Sequence, residues 1–355
     1  MLIYLLVNII LLSYSVLFLF PKNDEKETDM FCVIYLFVTG LVLLMIAGFR
    51  GDFTSDYKGY ADLFDLYNKF SFTGIFNTQF GQEIGYVLLN KIVGLFTKNS
   101  LYIMIVVSLI IIVLFFIQFK KYSTYIWLSV LLFVNVGAYY TSFNIIRQII
   151  AAAIIFSGSR FLYEKKPKNY FIVIVVAALF HKSALIMIPF FFVLNFKYNV
   201  KKLFLAITAL FVSMTFLELI LSIIQKFFYS YFKMGTYGMV GFSYKNVVLP
   251  LLVLIFVLVN YSKLDLSSPK INVWVNAIVF YAFFSFMGLK IQMIQRIAEF
   301  FAPYILLLIP WIISRISSKE LRVLTIYITI LLVISYNYIT FSGSGYDPFY
   351  FIWDK

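Results

Sequence analysis

Charged residues are scarce in this chain. They make up 13% of its 355 residues, whereas 63% of the residues are hydrophobic. So little polar surface cannot cover a water-soluble domain of this length. The long apolar runs are separated by short charged clusters, which is typical of membrane-spanning α-helices and not of a membrane barrel. We therefore predict an all-α, polytopic integral membrane protein with a single transmembrane domain over residues 1–355.

Cysteine and several common signatures are also missing. Cys32, the single cysteine, lies in an apolar run, which excludes a disulfide framework and a thiolate metal site. The motifs GxxxxGKS/T, HExxH and GxSxG are absent, so nucleotide-driven transport, zinc proteolysis and serine esterase chemistry lack their residues. Most lysines stand beside apolar runs, so the net charge of +13 indicates membrane lipid as a partner and not nucleic acid. We expect neither a metal nor a cofactor.

The apolar runs predict many membrane spans. Crossing the hydrocarbon layer takes about 17–25 residues. Runs of roughly that length fall near residues 2–20, 30–48, 101–118, 125–143, 145–163, 203–225, 246–262, 271–288, 298–314 and 323–340.

The stretch 170–196 is long for one helix, and its centre holds His181, the only histidine. Basic residues in short connections favour the cytoplasmic side. If the N-terminus is outside, the basic clusters before and after this region all lie on the cytoplasmic side. The lysines that directly follow residues 170–196 lie on that side only if this stretch enters the membrane and returns to the side from which it came. We therefore predict a short helical hairpin with arms 170–181 and 184–196 and with His181 near its outer tip. The total becomes about 11–12 transmembrane helices.

This topology places residues 49–100 and 226–245 outside as two extracytoplasmic loops, together with the C-terminal tail. The first loop mixes apolar and polar residues at helical spacing and is rich in aromatic residues. Such a pattern is typical of helices that lie partly embedded along a membrane surface. We therefore expect this loop, which follows the second helix, to be partly helical.

Arginine is rare, with six residues against 23 lysines. Arg50, Arg147 and Arg296 lie at or near the predicted outer face, against the usual bias of basic residues. The planar guanidinium can hold two phosphate oxygens at once. The helix of Arg147 begins outside, with Asn144 as a plausible N-cap, and helix N-termini attract anions. We predict that these three arginines and Lys182 bind a diphosphate.

Each arginine also has a structural alternative. Arg147 could pair with Glu218 or reach lipid headgroups, because charges inside a membrane are usually paired or functional. Arg296 could pair with Glu299 in the same helix. Arg50 could simply order its own loop.

His181 is a candidate general base or substrate ligand, although a single histidine can also be a core residue bonded to a backbone carbonyl. Asp52 and Asp56 are four positions apart and would share one face of a helix, which suits a base or a metal, but no third ligand accompanies them. Glu83 could bind sugar hydroxyls or act as the base. The predicted catalytic candidates are thus His181, Asp52, Asp56 and Glu83. The tyrosines proposed for sugar binding are Tyr57, Tyr86 and Tyr237.

Four segments together resemble the EpsG-like branch of the Wzy-type polysaccharide polymerases. They are FRGDFTSDYKGYADLF, EIGYVLLNKI, NIIRQIIAAAIIF and ALFHKSALIMIPFF. These segments span roughly residues 49–190. The rest of the chain adds only its topology and Arg296.

The resemblance implies an inverting membrane glycosyltransferase with a GT-C-like fold. Such enzymes join oligosaccharide repeat units of O-antigen, capsule or exopolysaccharide at the outer face of the bacterial cytoplasmic membrane. Donor and acceptor are both linked to undecaprenyl diphosphate, and a chain-length regulator protein is a further implied partner. On this sequence, Arg147 and Arg296 would hold the donor diphosphate. His181 or a loop carboxylate would take the proton of the acceptor hydroxyl.

Two other functions need the same outer arginines. A flippase for lipid-linked oligosaccharides would also bind the diphosphate, but it should carry charges along a cavity through both leaflets. The charges predicted here cluster toward the outer side, which favours an enzyme. An O-antigen ligase would share the donor site and differ only in its acceptor.

A membrane acyltransferase would need an acidic or asparagine partner beside its histidine, and ALFHKSAL offers none.

Overall fold

The computed structural model describes residues 2–19, 25–71, 74, 83–197, 205, 208, 212, 216, 245–289, 292–341 and 348–354. Within these ranges the chain is helical, and strand-like pairing is limited to one isolated bridge between Arg50 and Phe351. Residues 226–244 of the second predicted loop lie outside the described residues, as do Tyr237 and Glu218. The predicted span 203–225 lies outside them except at four isolated positions.

We number the described α-helices in chain order. Short 3₁₀ turns occur at Lys182–Ile186, Tyr261–Lys263 and Ala302–Tyr304. The helices are α1 (Leu2–Leu19), α2 (Glu25–Gly48), α3 (Tyr57–Lys69), α4 (Ile84–Gly94), α5 (Leu101–Tyr122), α6 (Ile126–Asn135), α7 (Ala138–Thr141), α8 (Ile146–Ser157), α9 (Arg160–Tyr163), α10 (Pro167–Ala178), α11 (Met187–Leu194), α12 (Lys245–Val259), α13 (Pro269–Met287), α14 (Gln292–Ala298), α15 (Ile305–Ser314) and α16 (Lys319–Phe341).

Five helical stretches in the described part of the chain are long and apolar enough to cross a membrane. Further apolar helices of 10–17 residues accompany them, including α4, α6 and α10. The protein is therefore an all-α, multi-pass membrane protein, as the composition predicted. The five stretches are Asp29–Gly48, Leu101–Tyr122, Pro269–Met287, Ile294–Ser314 and Lys319–Phe341.

The predicted spans 125–143 and 145–163 are each broken in the structure. The first ends as a regular helix at Asn135, and Gly137 has a φ of +114° before the chain turns into α7. Glycine adopts this left-handed conformation without steric cost, which explains the break. The second span divides after Ser157 into α8 and the short α9. Both spans are therefore shorter as continuous helices than their hydropathy suggested.

The predicted hairpin over 170–196 is present as two short helices. Helix α10 ends at Ala178, and the chain passes through His181 into the 3₁₀ turn and then into α11. Helix α10 packs against α8 and against the 3₁₀ turn. The reversal brings the tip of the hairpin beside α8.

The core lies around α5, α6, α8 and α15, whose facing side chains are mostly aliphatic, with several phenylalanine rings among them. The rings of Phe115 and Phe133 lie 4.7 Å apart, and those of Phe115 and Phe156 lie 5.4 Å apart. Asn8 and Asn135 form a reciprocal amide pair between α1 and α6, with bonds of 3.1 and 2.6 Å. Because buried polar groups are costly unless bonded, this pair fixes how the two helices meet.

The first predicted outer loop contains two helices, as expected. Helix α3 is amphipathic and buries Tyr60, Phe64 and Tyr67 while it packs against α4. The last residues of α4 and those after it expose apolar side chains, including Leu95 and Phe96. Such a surface suits a helix pair that rests in the membrane interface.

The C-terminal residues 348–354 lie against the start of this loop. The Gly51 N–H donates to the Tyr350 carbonyl at 2.8 Å, and the Ile352 N–H donates to the Phe49 carbonyl at 3.1 Å. Nothing in the sequence predicted this contact. It fixes the path of the chain between α2 and α3.

Candidate functional site

One buried carboxylate, that of Glu83, is contacted by groups from two other segments of the chain. Nη1 of Arg147 lies 2.5 Å from Oε2 of Glu83, and Nδ1 of His181 lies 3.2 Å from Oε1. The backbone N–H of Lys182 donates to the same Oε1 at 3.3 Å. The Glu83 side chain is 8% exposed and that of Arg147 is 24% exposed. We call these groups, Glu83, Arg147, His181 and the Lys182 N–H, the Glu83 cluster.

A glycine brings Glu83 to the hairpin. Glu83 precedes α4, and the N–H of Gly85 in the first turn donates to the Leu179 carbonyl at 2.8 Å. A Cβ atom at Gly85 would lie 2.7 Å from that carbonyl oxygen. Only glycine permits this approach of two backbones. The close contact sets the distance between Glu83 and His181.

Arg147 is the second residue of α8, and its placement differs from the prediction in one respect. The residue at the N-cap is Ile145, without a side-chain capping bond, so the predicted N-cap role of Asn144 is wrong. The Asn144 Oδ1 instead accepts the backbone N–H of Asp56 at 3.4 Å. The hydroxyl of Tyr60 and the guanidinium of Arg147 interact electrostatically. Helix α3 thus braces both the start of α8 and the guanidinium.

Electrostatics keep the Glu83 carboxyl ionised. Burial by itself raises its pKa, but the contact with His181 and the charge of Arg147 outweigh burial and lower the pKa to about 2. Burial raises the pKa of Tyr60, and the neighbouring Arg147 offsets part of that rise. At neutral pH Glu83 is therefore an anion held by a guanidinium, an imidazole and a backbone amide.

Arg296 lies in α14 with an exposed side chain. Its backbone carbonyl accepts a hydrogen bond from Nε2 of Gln148, the residue after Arg147. This bond ties α14 to the first turn of α8, so two of the predicted arginines belong to adjacent elements. No ion pair between Arg296 and Glu299 occurs in the described part of the structure.

Arg50 sits in a different environment. Its side chain is 1% exposed and donates to the Ala47 carbonyl and, at 3.3 Å, to the Phe143 carbonyl. The guanidinium also lies 4.7 Å from the ring centre of Phe143 and 5.5 Å from that of Tyr57. These contacts order the loop and the chain before α8, which was the structural alternative. The predicted diphosphate role of Arg50 stays a prediction.

The two loop aspartates are not arranged as expected. Residues 52–56 form turns before α3, so the interpretation that Asp52 and Asp56 share one face of a helix is wrong. Asp52 accepts a hydrogen bond of 2.6 Å from the Tyr350 hydroxyl in the C-terminal tail. Asp56 lies 3.2 Å from the Ser55 hydroxyl. Both are exposed, and their predicted role as bases stays a prediction.

The remaining predicted site residues differ in how deeply their side chains are buried. The Lys182 side chain is exposed, and its backbone N–H belongs to the Glu83 cluster. Tyr86 is fully buried, edge-on to Tyr60 at 5.8 Å, so its ring packs inside the protein and leaves no face for a sugar. Tyr57 is partly buried and contacts Arg50, and its sugar role stays a prediction. Tyr237 lies outside the described residues.

The comparison with known families covers almost the whole chain. The EpsG family model matches residues 33–351, which include every member of the Glu83 cluster. The chain belongs to the EpsG family. No curated protein and no solved structure matches it. Membership implies, at a coarse level, a membrane polysaccharide polymerase that acts as a glycosyltransferase.

The sequence of this EpsG-family chain did not predict three positioning residues. Tyr60 interacts with Arg147, and Gly85 brings Glu83 to the hairpin. Gln148 bonds to α14. A glycine two residues after a candidate acid at a helix start was a usable signal for close backbone approach. Tyr60 and Gln148 carried no such signal, because tyrosine is abundant here and a single glutamine in an apolar helix has many roles.

Proposed function

We propose that this chain polymerises oligosaccharide repeat units linked to undecaprenyl diphosphate, at the outer face of the bacterial cytoplasmic membrane. It does so as an inverting glycosyltransferase. The observation that carries the proposal is the Glu83 cluster, in which a guanidinium and a histidine from separate segments meet at one carboxylate. In a family of polysaccharide polymerases, these groups match the needs of transfer from a lipid diphosphate.

Arginines stabilise the leaving group. Arg147, with Arg296 on the neighbouring α14, binds the diphosphate of the donor. When the bond between the anomeric carbon and the diphosphate oxygen breaks, its electron pair stays on that oxygen and negative charge grows there. Fixed guanidinium groups in a partly buried site are most effective where charge develops.

Histidine takes the proton. The Glu83 carboxylate faces Nδ1 of His181, which keeps a proton on Nδ1 and leaves Nε2 as the acceptor. The acceptor hydroxyl oxygen attacks the anomeric carbon from the side opposite the diphosphate and loses its proton to Nε2. The configuration at that carbon is therefore inverted. Glu83 orients the base and balances the charge of the imidazolium that forms.

The proposal extends to the partners. Donor and acceptor are both lipid-linked and enter from the outer leaflet, and a chain-length regulator protein acts on the same face. The reaction requires no nucleotide sugar and no cofactor from the protein.

Elongation by purified protein tests this function. The full chain in detergent is incubated with a lipid-linked repeat unit, and the products are separated by size. The wild type and Glu164→Gln, which removes only an exposed carboxylate paired with Lys166, should form a ladder of products. Arg147→Ala and His181→Ala, checked for folding by size-exclusion chromatography, should not.

Two other outcomes point to other functions. Transport of the repeat unit across vesicles without any elongation would identify a flippase. Transfer of a single chain to a different acceptor, with no ladder, would identify a ligase. Either result would contradict the proposed polymerase.

A further inference from the structure

The surroundings of the Glu83 carboxylate are those of an anion site. A guanidinium, an imidazole Nδ1 and a backbone N–H converge on its two oxygens at 2.5, 3.2 and 3.3 Å. The same three kinds of group bind phosphate oxygens in proteins. The cluster therefore already holds an anion, and that anion belongs to the protein itself.

The position of Arg147 makes this internal anion important. Its guanidinium is the group that the proposed function assigns to the donor diphosphate, yet its Nη1 is bonded to Glu83. The carboxylate is the more deeply buried partner, at 8% exposure against 24% for Arg147. The guanidinium thus reaches from the carboxylate toward the accessible side of the site. A diphosphate arriving from that side meets an arginine that is already engaged.

We propose that Glu83 competes with the diphosphate for Arg147. Without the donor, Glu83 holds the guanidinium; when the donor binds, Arg147 passes to the diphosphate, and Glu83 keeps its contact with His181. This inference rests on the proposed function, because it takes the ligand to be a diphosphate.

The exchange has two consequences. The apparent affinity for a diphosphate equals the intrinsic affinity multiplied by the fraction of time that Arg147 is free of Glu83. After transfer, the released lipid diphosphate carries more charge than the donor did and would bind the guanidinium tightly. The return of Glu83 to Arg147 then speeds release of this product. The internal carboxylate therefore lowers the affinity for the diphosphate and raises the turnover rate.

Binding of inorganic diphosphate to the full chain in detergent tests the exchange without any need for catalysis. Calorimetry should show binding about tenfold tighter for Glu83→Gln than for the wild type, because the uncharged amide competes poorly. Glu83→Asp keeps the charge but has a shorter reach, so its affinity should lie between the two. Glu164→Gln should bind like the wild type, and Arg147→Ala should lose binding.

Kinetics give a second readout. In the elongation assay, Glu83→Gln should lower both KM and kcat, because the donor binds more tightly while the histidine loses its orienting charge. A residue that only supports the fold would not lower KM.

The outcomes separate the inference from the proposed function. If Glu83→Gln and the wild type bind diphosphate equally, and Arg147→Ala still loses binding, the competition is refuted while the diphosphate site stands. If Arg147→Ala binds as well as the wild type, or no variant binds, both the competition and the role of Arg147 are refuted. Weaker binding by a folded Glu83→Gln would also overturn the competition, since it would make Glu83 a helper of binding.

Discussion

Arg147 and Glu83 are 64 positions apart in the chain, yet Nη1 of the arginine lies 2.5 Å from Oε2 of the glutamate. The pair joins the loop between α2 and α5 to the first turn of α8. His181, at the tip of the hairpin, contacts the other oxygen of the same carboxylate. Three predicted site residues from three segments thus form one cluster, and its geometry leads to specific predictions.

Gly85→Ala should separate Glu83 from His181. The new methyl group would overlap the Leu179 carbonyl, and overpacking of this kind costs about 1–3 kcal/mol. The start of α4 must then move away from the hairpin tip, so we expect elongation to fall by about 100-fold. Gly59→Ala is the matched control, because a Cβ atom at Gly59 meets nothing within 4 Å. Equal elongation rates for the two variants would show that this close approach does not determine the position of Glu83 relative to His181.

Acid should weaken the fold through Glu83. Its folded pKa of about 2 lies below the ordinary value of 4.5, so the ionised carboxylate is favoured in the folded state. The stability that it contributes is fully present above pH 4.5 and is lost as the pH falls from about 4.5 to about 2. In thermal unfolding in detergent, the difference between the wild type and Glu83→Gln should therefore shrink across this interval. A difference that stays constant down to pH 2 would contradict the role assigned to the ion pairing.

Arg50→Lys distinguishes a structural arginine from a diphosphate ligand. Lysine cannot reproduce both backbone carbonyl contacts and the stacking on Phe143, so we expect a loss of about 1–3 kcal/mol in stability. The affinity for inorganic diphosphate, measured on the folded fraction, should change less than threefold, whereas Arg147→Lys should weaken it about tenfold or more. If Arg50→Lys lost binding as strongly as Arg147→Lys, the diphosphate role predicted for Arg50 would be supported.

The C-terminal tail should detach when Gly51 is replaced by alanine. A Cβ atom there would overlap the ring of Tyr350, whose hydroxyl also bonds to Asp52. Limited proteolysis should then cut the tail faster than in the wild type. The double variant Gly51→Ala with Tyr350→Ala restores the space, so its tail should be better protected than that of Gly51→Ala alone. Unchanged cleavage in the single variant would argue against the packing of the tail on this loop.

The sequence predicted the membrane class and the hairpin. The apolar runs indicate the class as a local pattern, whereas the hairpin followed from the length of the stretch 170–196 and from the side of the membrane on which the basic residues of the whole chain must lie. The helices of the first predicted outer loop were also predictable, since α3 has one apolar face. Helix breaks such as the one at Gly137 were not, because the surrounding residues remain apolar.

The site was predictable as a set of residues but not as a set of contacts. Arg147, His181 and Glu83 were singled out by rarity and by their predicted outer position, whereas Glu218 was the acid considered as a partner for Arg147. The actual partner, Glu83, depends on how the loop folds back over the hairpin through Gly85. Pairing over such sequence distances is decided by tertiary packing, which one sequence does not encode as a local pattern. The bracing by Tyr60 and the docking of the tail were missed for the same reason.

The most direct test of the central claim is the length distribution of surface polysaccharide in cells that carry Arg147→Ala or His181→Ala at wild-type membrane levels. General-base and leaving-group stabilisation each contribute roughly 100-fold or more to rate. We therefore predict that single repeat units reach the surface while the ladder of long chains disappears in both variants. A normal ladder from both would contradict the assignment of these residues to glycosyl transfer.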